Sequence, residues 1–200
     1  MNLGSIRTHF KALLNRSDVT DTLATTFIDQ GITRIQRSLR VPSMEKKHTY
    51  TFSAEASQIA LPTDFLEAID VYYDHTALKR IPMTEMAARK EGNETGIPSY
   101  FTREQGVLLL YPHPTSGSLT MNYYGTFVDM VDDSDESILA QTASDLIIYS
   151  ALTYAADYYL DERSPVFSSK YSEFMYEIQE QAYEEEQSGS LQSIRPSYSY

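Results

Sequence analysis

Five carboxylates crowd one short stretch of the chain: Asp129, Asp132, Asp133, Asp135 and Glu136. Clustered oxygen ligands of this kind are what a calcium ion takes. The spacing does not carry that chemistry. A calcium-binding loop needs ligands at alternate positions, a glycine at the sixth and a bidentate glutamate at the twelfth. Counted from Asp133, the sixth residue is Ile138. Carboxylates ahead of a helix have a second use, because they favour the positive end of its dipole. Asp133 and Glu136 are spaced as a variant of the capping box.

Other reactive groupings are equally unspecific. His9, His48, His75 and His113 fall in different elements without ligand spacing and read as surface or boundary residues. No glycine-rich phosphate loop and no nucleophile elbow occurs. Eighteen carboxylates lie between Glu91 and Tyr200, so a pair at glycosidase separation is expected by chance and identifies nothing. Neither a catalytic residue, nor a metal site, nor a cofactor is expected.

Three groups of residues have the chemistry of contact. Arg34, Arg37 and Arg40 recur every three residues near a helix end, where cations suit the negative pole of the dipole. The same ridge is suited to pairing with acidic residues of a neighbouring subunit or of a different partner protein, which would set register and association rate. Sixteen tyrosines stand against no tryptophan. Tyr72 with Tyr73, and Tyr123 with Tyr124, sit in strands, where adjacent side chains point to opposite faces. Strand propensity alone accounts for them, and an apolar ring with a polar tip also suits an interface. The final segment SLQSIRPSYSY combines Leu191, Ile194, Arg195, Tyr198 and Tyr200 with serine and proline, and Gly189 precedes it. Such a composition cannot order itself alone, and its anchor residues allow it either to stay solvated or to order on a partner.

The elements that must position these groups follow from periodicity. A short helix is predicted over Ser5–Asn15, with Ile6, Phe10, Leu13 and Leu14 on one side. Ser17 is a plausible cap for a second helix running to about Arg40 and ended by Pro42. Its apolar stripe is Leu23, Phe27, Ile28, Ile32, Ile35 and Leu39, and Gly31 weakens it by ~1 kcal/mol unless close packing requires it. From His48 the period changes to two, through Tyr50 and Phe52, Ile59 and Leu61, then Ile69, Val71 and Tyr73. A short helix over Thr84–Glu91 and strands at Ser99–Thr102, Val107–Tyr111 and Leu119–Tyr124 complete a small antiparallel sheet or sandwich. A long helix is predicted from Ser137 to Leu160, and after a break at Ser164-Pro165 a last one carries Phe167, Tyr171, Phe174, Met175, Ile178 and Ala182.

The expected fold is therefore α+β. A helical body over about 5–40 and 137–186 receives an inserted β region over about 48–125, with 1–186 as one domain and 187–200 as a flexible tail. The net charge of −12 is unevenly divided: Met1–Lys90 has twelve Lys/Arg against ten Asp/Glu, Glu91–Tyr200 four against eighteen. An acidic second half does not grip phosphate backbones. No stretch nears the ~18 apolar residues of a membrane span, the N-terminal residues lack a signal-peptide pattern, and the absence of cysteine suits assembly in a reducing cytoplasm.

The order of these elements resembles a known family. Phe27-Ile28 with Arg34-Ile35 and Leu39-Arg40, the turn Leu61-Pro62-Thr63-Asp64-Phe65, the strand Val71-Tyr72-Tyr73, Leu110-Tyr111-Pro112 and the helix from Leu146 to Tyr159 are similar to those of head-to-tail adaptor proteins of short-tailed bacteriophages. The resemblance implies a virion structural protein of the neck, a ring, by family habit twelve-membered, between the portal protein and a tail nozzle or tube protein. DNA would pass through without sequence-specific binding, eased by an acidic lumen. It further implies a C-terminal extension that embraces the portal. Two other readings remain at this point, a virion-associated cell-wall hydrolase using paired carboxylates and a β-rich glycan- or tail-binding module.

Overall fold

The computed structural model describes residues 1–90, 92 and 94–188, with side chains as far as Glu185. It divides into two compact units, a helical one formed by Met1–Ser43 with Phe127 onward, and a β-rich one formed by Met44–Thr126. The mixed α+β class is as expected.

In the helical unit, α1 (Leu3–Leu14) and α2 (Asp21–Ser38) precede the insert, while α4 (Ile138–Thr142), α5 (Ser144–Tyr159) and α6 (Ser164–Ser188) follow it. Helix α5 is the hub. It packs against α1, α2, α4 and α6, and its Leu146, Ile147, Ile148, Ala151, Leu152, Ala155 and Ala156 are all buried. A helix apolar on nearly every side is one surrounded by others. Gly31 of α2 permits a close approach to α5: a β-carbon there would come within 2.9 Å of the Ala151 backbone nitrogen. Ser150, buried at the same crossing, donates its hydroxyl to the Gly31 carbonyl at 3.1 Å. Close packing is thus the reason for glycine inside this helix.

Helix ends depart from the sequence-based expectation in three places. Thr20, not Ser17, caps α2, its hydroxyl accepting from the Leu23 N–H at 3.2 Å. The expected helix from Ser137 to Leu160 is broken at Ala143 (φ −143°, ψ 50°), and alanine, the best helix former, gives no sign of it. The acidic loop caps α1 rather than its own helix. Carbonyls of Asp135 and Asp133 accept the Leu3 and Gly4 N–H groups at 3.0 Å each, and Arg7 closes a bidentate pair on Asp133 at 2.7 Å. Ser137 takes over the capping of α4.

The β unit holds two four-stranded sheets. In chain order its elements are β1 (Glu45–Thr51), β2 (Gln58–Ala60), β3 (Phe65–Tyr73), β4 (Thr76–Ala77), β5 (Lys79–Arg80), α3 (Met83–Lys90), β6 (Tyr100–Glu104), β7 (Val107–Tyr111) and β8 (Ser118–Gly125). One sheet runs β1-β8-β3-β4 and the other β2-β7-β6-β5, with β5 parallel to β6 and the remaining pairs antiparallel. Their facing sides share a core of Val71, Leu108, Leu110, Leu119, Met121 and Tyr123. Strand β7 is covered on both faces, since Leu109 and Tyr111 pack with Met86 of α3. That explains its continuous apolar sequence where β8 alternates.

Candidate interaction surfaces

The LPTDF turn anchors the β unit. Asp64 accepts the Lys46 ammonium at 2.6 Å and the Tyr123 hydroxyl at 3.1 Å, while Lys46 also donates to the Thr126 carbonyl at 2.8 Å. The Asp64 carbonyl accepts the Thr126 N–H at 2.8 Å. Burial opposes ionisation of Asp64, but its hydrogen bonds from Lys46 and Tyr123 outweigh that and hold it below the ordinary carboxylate value. Burial, helped by the hydrogen bond to Asp64 and by that carboxylate's charge, pushes the Tyr123 phenol up to about 12. The turn is a structural fastener and presents no reactive group.

The arginine row diverges. Arg34 turns inward, donating to the Thr153 hydroxyl at 2.8 Å with its guanidinium 4.1 Å from the centre of the Tyr171 ring. It therefore ties α2 to α5 and α6. Arg40 lies over the end of its helix, donating to the carbonyls of Gln36 at 3.0 Å and Leu39 at 2.6 Å. Arg37 is exposed and forms no ion pair among the described residues. Of the three, Arg37 alone is presented outward as a free cation. Leu191, Ile194, Arg195, Tyr198 and Tyr200 lie outside the described residues.

The tyrosine pairs divide as strand geometry requires. Tyr73 and Tyr123 are buried, while Tyr72 and Tyr124 occupy the opposite, half-buried face. Tyr72 leans on Asp70 at 3.4 Å, and Asn122 donates to the same carboxylate at 2.7 Å.

Two surfaces were not legible from sequence. The outer side of α6 exposes Tyr176 and Tyr183 among Glu173, Glu177, Glu180 and Glu184, with the Tyr176 hydroxyl donating to Glu180. Its heptad spacing is a signal, hidden by the stronger apolar stripe on the inner face. In the β unit, a cleft of about 210 Å³ has an apolar floor of Phe65, Phe101 and Leu108 and a mouth bearing Arg80 and Arg103. Arg80 and Arg103 stand 23 residues apart, and only the parallel β5–β6 pairing makes them neighbours.

A further feature fastens the helical unit. Arg163, at the start of the last helix, donates to the α1 terminal carbonyls of Leu13 and Leu14 at 3.2 and 2.8 Å. Asp161 holds that guanidinium at 2.6 Å, and the hydrogen bond from Arg163 depresses the Asp161 carboxyl to about 2.

None of these arrangements assembles a reaction centre. Among the described residues no three histidine or carboxylate side chains gather as a metal site, and no helix is long and apolar enough to cross a membrane. His113 is buried and bonded through Nδ1 to Glu55 at 3.2 Å. No curated protein matches the chain. The sequence profile described as SU10 adaptor protein matches residues 1–195, spanning both units and every surface described above. Matched along nearly its whole length, the chain belongs to the SU10 adaptor protein family, a family of bacteriophage structural adaptors.

Proposed function

We propose that this protein is a head-to-tail adaptor, a ring subunit seated between the portal and the tail that extends the channel through which DNA leaves the head. The observation that carries this reading is the family match over 1–195, which takes in the helical body and the β insert together. A ring of identical subunits needs two different faces on each copy. The acidic, tyrosine-bearing side of α6 and the cationic Arg37 and Arg80/Arg103 surfaces are of opposite character and supply that condition. A net charge of −12 favours a wall along which DNA slides without being held. Leu191, Ile194, Arg195, Tyr198 and Tyr200 are proposed to contribute to portal docking, with Arg37 at a neighbouring subunit.

Sedimentation and mass analysis of the chain, alone and mixed with portal rings from the same virion, tests the reading. Capture at a fixed stoichiometry is the expected result. Absence of capture at every salt concentration would overturn it. Capture that survives removal of residues 189–200 would retain the adaptor and discard the docking role of those residues.

A further inference from the structure

Near the C-terminal end of α6 the helical unit has a slot of about 140 Å³, walled by Leu39, Val41, Phe127, Leu139, Ile178 and Ala182. Protein interiors are close-packed, and an apolar cavity of about this size takes one benzene-sized group in preference to water. Thr142, Gln181 and Glu185 form its lip, so the slot opens outward and is polar only at the rim.

We propose that this slot is the seat of the chain's own last residues, with the Ile194 side chain inserted. Length favours Ile194. Helix α6 ends at Ser188, and Ala182 lies six residues earlier, ~9 Å back along the helix axis. Ile194 lies six residues beyond Ser188 and commands up to ~20 Å of extended chain, enough to reverse and return. Leu191, three residues beyond, commands only ~10 Å and has none to spare for a turn. Gly189 stands directly after the helix, where glycine lets a chain reverse. Charge agrees. Arg195 is the one side chain in residues 189–200 that is charged at neutral pH, and the last turns of α6 carry Glu180, Glu184 and Glu185.

The proposal goes beyond the adaptor reading and does not need it. If both hold, a partner must draw Ile194 out of its own subunit before using it, so docking competes with an internal contact.

The absence of cysteine makes the test clean, because an introduced pair reports only on itself. The full chain carrying Thr142→Cys with Ile194→Cys is oxidised mildly, without portal, and read by non-reducing gel and mass spectrometry. An intrachain disulfide in most molecules is expected, against little in Thr142→Cys with Tyr200→Cys, since the bond requires Cα atoms within about 7 Å. Only interchain disulfides, or equal yields in both variants, would overturn the proposal. A cysteine-free readout stands beside it. Ile194→Asp and deletion of 189–200 should each speed amide exchange at Leu39 and around Ala182 at least tenfold, and unchanged exchange would overturn it as well.

Discussion

Gly31 and Ala151 meet so closely that the α2–α5 crossing has no room for a β-carbon, which would stand 2.9 Å from the Ala151 nitrogen. The neighbour is backbone and has no flexible end to move. Helix propensity alone would make Gly31→Ala favourable by ~1 kcal/mol. The crossing reverses the sign, and overpacking of this kind costs about 1–3 kcal/mol. Urea unfolding followed at helical amides should place the variant's midpoint below that of the parent, and a higher midpoint would show that the helices separate freely.

Asp64 makes the β unit acid-sensitive. Its folded pKa lies below the ordinary value of about 3.9, so its stabilisation is complete above that pH and is lost as pH falls through the folded value. Asp64→Asn should cost about 1–3 kcal/mol at neutral pH, by leaving Lys46 and Tyr123 without an anionic acceptor. It should also flatten the acid limb of stability. Amide exchange in β8 between pH 2 and 6 measures both, and parallel acid limbs in parent and variant would refute the assignment.

Arg163→Ala removes the guanidinium that both covers the α1 carbonyls and holds Asp161. The Asp161 carboxyl, now at about 2, should return to the ordinary range near 4, seen directly in a carbon-detected titration. Helix α1 should fray from its C-terminus, at a cost of about 1 kcal/mol for so exposed a cap.

Arg34 and Arg37 should separate stability from association. Arg34→Ala loses the Thr153 hydrogen bond and the stack on Tyr171, and should lower stability by about 1–2 kcal/mol. Arg37→Ala should stay within about 0.5 kcal/mol of the parent, as surface substitutions do. If Arg37 faces a neighbouring copy, it should instead slow ring assembly, most visibly at low salt.

What could be read from sequence was apolarity and its period. The stripe of Phe27, Ile28, Ile35 and Leu39, and the face of Phe167, Tyr171, Met175 and Ala182, are buried as the spacing requires. What could not be read was close approach. Ala24 is fully buried while Leu23 stays half-exposed, because tight helix crossings select small residues that hydrophobicity ranks low. Ile138, apolar and near the start of the helix expected from Ser137, is 47% exposed ahead of the break at Ala143. The strand β1 begins at Glu45, earlier than its alternation shows, because Lys46 is half-buried and paired with Asp64. A row spaced by three residues swings about 60° at each step, so Arg34 points inward where Arg37 does not. Sheet pairing was hidden for another reason. Partners such as Glu45 and Tyr124 are 79 residues apart, and nothing local marks them as neighbours.

That last pairing has an evolutionary corollary. The β unit enters and leaves the helical unit through adjacent strands, β1 and β8, with Lys46, Asp64 and Thr126 knotted across the entrance. A segment whose two ends meet is a cassette. It can be excised for a short loop, or exchanged for another whose ends also meet, without redesigning the helices on either side. Adaptors built on this plan can retain one helical body while trading the module inserted in it.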